Sequence, residues 1–298
     1  MSLGNGQYHG IWTHAWTRNA PPLALLAHLR LHYKNGSSAS VVTSSDAGSA
    51  WRSTQGPTTT DDVYAGESYD ARLAQQGWDT PAFANASRWQ PVSAFDPAGV
   101  LGATPALSLH RFVPIRQVGT RKPVRITQPA PGTFVAHFAT NFVGVSEIQV
   151  QGPAGAEIKL SHAEQLRLAN GSVCLVDCRE YGPAAVAQGT AYYPFSGAID
   201  TYTLRGSSGA VEVWHPLFTY HGYQFVQIDG WPAAGPPPTA DNITGLVIHS
   251  DVPETGSLTF PATREGQLLA AINDNRRRSL LSNFHSVEED CPTRERVG

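Results

Sequence analysis

Short runs of alternating apolar and polar residues, bounded by glycine or proline, fill most of this chain up to about residue 250. In a strand, successive side chains point to opposite faces, so this alternation predicts half-buried strands. The 298 residues include 28 glycines and 22 prolines but only 15% charged residues, a balance typical of short strands joined by many turns. The sequence therefore predicts a mainly β protein of about two domains.

The first clear strand pair is a hairpin near the N-terminus. The sequence LALLAHLRLHY alternates at its end, with Leu29 and Leu31 on one face, which predicts a half-buried strand. Asn35 and Gly36 tolerate positive φ and favour a tight turn, and SASVVTSS supplies the returning strand. We predict an antiparallel β-sandwich over residues 1–120, expected to be incomplete at its start.

A second β-region begins near Thr133 and continues to about Asp251. The segments FVAHFATNFVGVSEIQVQG and EIKLSHAEQL flank the turn at 153–155, and the later strands are separated by Gly- and Pro-rich turns. The proline-rich segment 231–242 is interpreted as a surface loop, because the strand ITGLVIHSD after it would complete the same sheet. We predict a second antiparallel β-sandwich over residues 121–252.

The hydrophobic period changes after Asp251. Apolar residues from Leu268 to Phe284 recur at helical spacing, which predicts the helix of a different domain, beginning only after about residue 260. Pro292 then prevents simple continuation of a helix, so the charged residues around it are placed on a loop. We assign residues 253–298 to this third unit.

The charge and hydropathy of the chain argue against two classes of partner. The formal net charge is −3, so the cationic field that nucleic-acid binding needs is missing. The sequence contains no run of about 18 apolar residues and no signal-peptide pattern at its N-terminus, so no membrane partner is predicted. A secreted and a cytoplasmic location both stay open, as does a homodimer.

No cofactor or metal is expected from the cysteines. Cys174 and Cys178 have the spacing of a local disulfide or of half a metal site, and Cys291 stands apart from them. A zinc site would need a second Cys or His pair at a matching spacing nearby, which the sequence lacks. We interpret the three cysteines as structural or free thiols.

The last residues of the chain, SNFHSVEEDCPTRERVG, carry the strongest functional signal. Asp290, Arg294 and Glu295 lie within a few positions of the turn that Pro292 restricts. Taken alone, this arrangement favours a salt-bridged surface loop. A functional interpretation therefore needs independent support.

That support comes from a family resemblance. The segment DCPTRERVG resembles the signature that opens the active site of the inverting α-L-rhamnosidase family. The segments DDVYAGESYDAR, NFVGVSEIQVQGPAGAEIKLSHAEQL, DTYTLRG and FTYHGYQFVQIDG resemble upstream segments of that family, in the same order. The resemblance implies β-sandwich domains followed by an (α/α)6 barrel, of which this chain would hold the sandwiches and the first helix. The chain is accordingly expected to be a fragment that is inactive by itself.

The resemblance also implies roles for three residues. Asp290 and Arg294 would bind rhamnose hydroxyls, and Glu295 would be the general acid, with the catalytic base far downstream and absent from this sequence. Hydrolysis with inversion needs one carboxyl to protonate the leaving oxygen and a second carboxylate, about 6.5–9.5 Å away, to activate water. Many family members carry one extra acidic residue in this stretch. The assignment of Glu295 as the general acid therefore depends on a shorter variant of the motif. Glu288 and Glu289 are poorer candidates for the acid.

The leading expectation is therefore hydrolysis of terminal α-L-rhamnose, with a rhamnose-containing carbohydrate as partner. A lyase acting on a rhamnose–glucuronate linkage stays open, because related barrels carry a similar signature. A carbohydrate-binding or structural β-module without chemistry of its own also stays open.

Two groups of residues are interpreted as structural. Aromatic side chains of the β-regions are expected to pack in the core and between domains rather than to form a sugar-stacking platform. They are Tyr64, Tyr69, Trp78, Trp89, Trp214 and Tyr220. His162 and His221 are interpreted as hydrogen-bonded structural histidines rather than as metal ligands.

Overall fold

The computed structural model describes residues 1–6, 9, 23–44, 50–84, 87–94, 96, 108, 111–166, 171–173, 198–206 and 209–292. The strands before the large β-region are β1 (His28–His32), β2 (Ser38–Val42), β3 (Arg52–Ser53), β4 (Thr58–Asp62), β5 (Gly66–Asp70) and β6 (Gln90–Pro91). They are followed by β7 (Ile115–Arg121), β8 (Arg125–Ala130), β9 (Thr133–Val150), β10 (Glu157–Ala163), β11 (Ile199–Thr203), β12 (Glu212–Trp214), β13 (His221–Asp229) and β14 (Ile243–Ser250). The last elements are a helix, α1 (Arg264–Ser282), and the strands β15 (Phe284–His285) and β16 (Val287–Glu288).

One large sheet forms the centre of the described structure. Eight of its ten strands run in the order β4-β5-β11-β10-β13-β9-β14-β7, and the other two, β8 and β12, pair with β9. The 18-residue strand β9 pairs with β13 in two stretches, because the register shifts between Tyr223 and Phe225. Strand β9 also pairs with β8 near its start and with β14 and β12 near its end.

The main core cluster is rich in aromatic side chains. Tyr69, Tyr202 and Trp214 contact one another, with ring centroids 5.8 Å apart for Tyr69–Tyr202, 5.1 Å for Tyr202–Trp214 and 6.0 Å for Tyr69–Trp214. Phe142 and Tyr223 lie 4.5 Å apart in the same cluster. Such rings bury large apolar areas and gain from tilted or offset contacts. The packing interpretation of Tyr69 and Trp214 is therefore confirmed.

The predicted fold class is confirmed: the described residues form a mainly antiparallel β structure, followed by a helix that begins after residue 260. The strand after the proline-rich loop is β14, as predicted. The division into two sandwiches at residue 120 stays a prediction. Two strands from its N-terminal side, β4 and β5, join the large sheet through β11, and β7 crosses the proposed boundary.

The N-terminal hairpin forms where predicted, but its predicted burial is wrong. β1 and β2 pair around the turn in which the Gly36 N–H donates to Tyr33 O at 3.0 Å. Leu29 and Leu31 are 57% and 37% exposed, because β1 and β2 form a separate two-stranded sheet. Alternation shows which side chains share a face, whereas burial depends on whether another layer covers that face.

Helix α1 presents an apolar stripe to solvent. Thr263 caps its N-terminus by accepting a hydrogen bond from Gly266 N at 3.1 Å. Leu268 and Ile272, which share one face at helical spacing, are 61% and 54% exposed.

Within the described ranges, no helix has both the length and the apolar character that crossing a membrane requires.

Candidate active-site loop and buried ionisable groups

A two-strand hairpin, β15–β16, lies directly after α1 and directly before the predicted site residues. Its strands meet around Ser286, whose φ of 73° lies in the left-handed region. A non-glycine residue is rarely found there because its Cβ approaches the following carbonyl. The Ser286 N–H donates to Ser250 Oγ in β14 at 2.7 Å. Strand β14 therefore holds the hairpin at its turn.

Three side chains, Tyr220, His285 and Glu289, connect this hairpin to the large sheet, and we call them the anchor cluster. The side chains of His285 and Glu289 are only 1% and 3% exposed. The rings of Tyr220 and His285 stack with centroids 4.0 Å apart and planes 16° apart. The Tyr220 hydroxyl donates to Glu289 Oε1. His285 Nε2 lies 3.0 Å from the carbonyl oxygen of Ile248, and Nδ1 lies 3.3 Å from Glu289 Oε2.

Asp290 lies at the exposed end of the hairpin, directly after Glu289. Its Oδ1 accepts a hydrogen bond from Cys291 N at 2.7 Å. An exposed carboxylate has further lone pairs that accept from hydroxyl groups. Arg294 and Glu295 lie outside the described residues, as do Cys174 and Cys178. The structure therefore places one of the three predicted site residues.

A second group of ionisable residues is buried against the large sheet. It consists of His162, Asp200 and His221. Their nearest possible ligand atoms all lie within 4.8 Å of one another. His221 Nε2 lies 3.1 Å from both carboxylate oxygens of Asp200. His162 Nδ1 lies 3.1 Å from Ala198 O, and its Nε2 lies 3.0 Å from Ser146 Oγ.

The protonation state of His162 follows from its surroundings. Burial, with a smaller contribution from His221, lowers the pKa of His162 to about 3. The neutral ring therefore donates from Nδ1 to the Ala198 carbonyl and accepts at Nε2. Because both ring nitrogens are used in hydrogen bonds, the geometry favours the structural interpretation of this histidine over a metal-ligand role.

Glu67 extends the buried network to the N-terminal strands. Its backbone N–H donates to Asp200 Oδ1 at 3.0 Å. Its carboxylate accepts from Leu217 N at 2.8 Å, Phe218 N at 2.9 Å and Thr58 Oγ1 at 3.1 Å. Burial raises the pKa of Glu67. These contacts fasten β5 to β11 and to the segment that leads into β13.

Sequence reasoning missed the anchor cluster. Tyr220 was expected only to pack, His285 was not singled out, and Glu289 was treated as a poor candidate for the acid. The one sequence signal is that His285 and Glu289 are four residues apart. That spacing predicts contact on a helix, whereas here the two residues lie on either side of the hairpin turn at Ser286.

Two family models match this chain. One, described as the α-L-rhamnosidase N-terminal domain, matches residues 1–112. The other, described as the bacterial α-L-rhamnosidase concanavalin-like domain, matches residues 127–249. The chain belongs to the α-L-rhamnosidase family.

Named relatives agree with this placement. A curated α-L-rhamnosidase of Streptomyces avermitilis is 31% identical over 279 residues, which cover 92% of this chain and 24% of that protein. The structure of α-L-rhamnosidase from Dictyoglumus thermophilum has a TM-score of 0.75 and 31% identity, over 92% of this chain and 27% of that one. The structure of the Streptomyces avermitilis α-L-rhamnosidase complexed with L-rhamnose has a TM-score of 0.72 and 29% identity, and the match covers 92% of this chain and 23% of that one. The chain spans about a quarter of the length of these relatives.

Proposed function

We propose that this chain is part of an α-L-rhamnosidase that hydrolyses terminal α-L-rhamnosyl linkages of glycosides or polysaccharides with inversion. The observation that carries the proposal is the motif DCPTRERVG, which starts at the end of a hairpin attached to the sheet by buried contacts. The related protein from Streptomyces avermitilis forms a complex with L-rhamnose, which supports a rhamnose-containing carbohydrate as the ligand.

The proposed chemistry assigns one task to each residue type. Asp290 accepts hydrogen bonds from sugar hydroxyls, and the Arg294 guanidinium donates to sugar oxygens. Glu295 is the general acid that protonates the leaving glycosidic oxygen. Inversion requires a second carboxylate to activate water on the opposite face of the sugar. We assign that base to barrel residues outside this sequence.

Product analysis of the complete gene product tests the proposal. With a rhamnosyl glycoside as substrate, proton NMR in the first minutes should detect free rhamnose of inverted anomeric configuration. A rhamnose–glucuronate lyase would instead release an unsaturated uronate that absorbs in the ultraviolet. Release of rhamnose with retained configuration would contradict the inverting mechanism.

Calorimetric titration separates catalysis from binding alone. If the complete gene product forms neither product while the 298-residue chain binds L-rhamnose, the carbohydrate-binding module is the better interpretation. The absence of both product and binding would leave a structural role for the β-regions.

A further inference from the structure

The contacts of His285 in the anchor cluster show which of its ring nitrogens attaches the hairpin to the sheet. A carbonyl oxygen only accepts hydrogen bonds, so His285 Nε2, 3.0 Å from Ile248 O, carries a hydrogen. On the other side of the ring, Nδ1 faces Glu289 Oε2 at 3.3 Å. His285 therefore binds β14 through Nε2, while its Nδ1 lies beside Glu289.

We propose that Tyr220, His285 and Glu289 are positioning residues that lock the hairpin to the sheet and so fix the starting point of the active-site loop. The inference rests on the proposed function, because the loop in question carries the proposed sugar-binding and acid residues. Glu289 directly precedes Asp290, so a shift of the anchored residue moves the backbone of Asp290 with it. Misplacing a catalytic group by about 1 Å can cost about 10²-fold in rate.

The attachment is rigid because it is made to two strands of one sheet. Tyr220 directly precedes β13, while Ile248 and Ser250 belong to β14. Both strands pair with β9, so they share one hydrogen-bonded framework. Within the described part of the chain, His285 Nδ1 and Glu289 Oε2 are buried without a hydrogen-bond partner and face each other at 3.3 Å. The hydrogen bonds of the attachment are instead those from the Tyr220 hydroxyl to Glu289 Oε1, from His285 Nε2 to Ile248 O and from the Ser286 N–H to Ser250 Oγ.

Substitution of Glu289 distinguishes positioning from proton transfer. In Glu289→Gln, the amide oxygen still accepts from the Tyr220 hydroxyl, and the amide nitrogen keeps its place beside His285 Nδ1. In Glu289→Ala, both contacts are lost. The neighbouring Glu288 lies exposed on the same hairpin, so Glu288→Ala is the matched control for removing a carboxylate.

The first experiment measures amide hydrogen exchange of residues 283–292 in the 298-residue chain by mass spectrometry. Loss of a buried hydrogen bond typically costs enough to speed local opening about tenfold, so E289A should exchange at least that much faster. E289Q and E288A should exchange at the wild-type rate. Protection of the β9 and β13 amides verifies that each variant keeps the folded sheet. Equal exchange at residues 283–292 in wild type and E289A would overturn the proposal.

The second experiment measures kcat and KM of the same variants in the complete gene product. E289A should lower kcat by about 10²-fold, while E289Q restores kcat to near the wild-type value. If E289Q loses as much activity as E289A, Glu289 takes part in proton transfer and the positioning role is wrong. If the wild type does not release rhamnose, the proposed function fails, and the exchange experiment alone then supports or overturns the role of the anchor cluster.

Discussion

The backbone N–H of Glu67 donates a hydrogen bond to Asp200 at 3.0 Å across 133 residues of the chain. At this point β5 and β11 run parallel, and their contact joins the segments matched by the two family models. The backbone carbonyl of Ile199, next to Asp200, packs directly against Gly66 at the start of β5. The two family segments therefore share one buried network.

Gly66 should be irreplaceable for stability. It has a φ of +107°, and a Cβ there would lie 2.0 Å from Ile199 O. Gly66→Ala should lower the free energy of unfolding by at least about 3 kcal/mol, because backbone strain and a clash with main chain act together. Urea unfolding measures this loss. Gly56→Ala is the control, since a Cβ at Gly56 meets open space; equal midpoints for the two variants would contradict the prediction.

Acidification should destabilise the chain through His162. Its pKa is lowered from 6.5 to about 3 in the folded state, chiefly by burial. Between these values the unfolded state binds more protons than the folded state. The contribution of His162 to the free energy of unfolding therefore falls by about 1.4 kcal/mol per pH unit as the pH drops below 6.5. Urea unfolding measured between pH 7 and pH 4.5 tests this, with His162→Gln removing the dependence.

Glu67 should change the stability in the opposite direction on acidification, so it serves as a control for His162. Because burial raises its pKa above 4.5, the folded state keeps a proton that the unfolded state has released. The stability that this proton contributes is present below pH 4.5 and is lost as the pH rises towards the folded pKa. Glu67→Gln should therefore steepen the loss of stability on acidification below pH 6.5. An unchanged slope in both variants would mean that neither group governs the pH dependence.

Glu295→Gln in the complete gene product should lower kcat on a natural rhamnoside by about 10² to 10⁴-fold, the usual range for general acid catalysis. KM should change little, because proton donation acts in the transition state. An aryl rhamnoside with a good leaving group should show a smaller defect, since that group needs little protonation.

Asp290→Asn is the matched variant for this comparison, because it should raise KM as well, by weakening contacts to the sugar hydroxyls in the bound substrate. Equal loss on both substrates for Glu295→Gln would show that another residue is the acid.

Helix α1 should exchange its amide hydrogens quickly in the 298-residue chain. Its apolar face is exposed at Leu268 and Ile272, so packing contributes little to holding the helix closed. Mass spectrometry of residues 267–284 in a monomeric sample measures the rate, with β9 as the slow internal reference. Protection throughout α1 comparable to that of β9 would contradict the expectation.

Local features were predictable from the sequence, whereas contacts between distant segments were not. The turn at Asn35 and Gly36 and the strand β14 follow from nearby residues alone. The exposure of Leu29 depends on what covers its face, which alternation does not encode. For the site, the motif identified Asp290, but Tyr220 contacts His285 only because β13 and β14 bring them together.

The parallel pairing of β5 with β11 also sets an order of events during protein synthesis. β5 can form its antiparallel hairpin with β4 early, but β11 is made about 130 residues later. At the usual translation rate of about 5–20 residues per second, this interval is on the order of 10 s. During that time the outer edge of β5 has unpaired backbone groups, which are a template for wrong pairing. The nascent chain therefore has a window of several seconds in which this edge is open to wrong pairing.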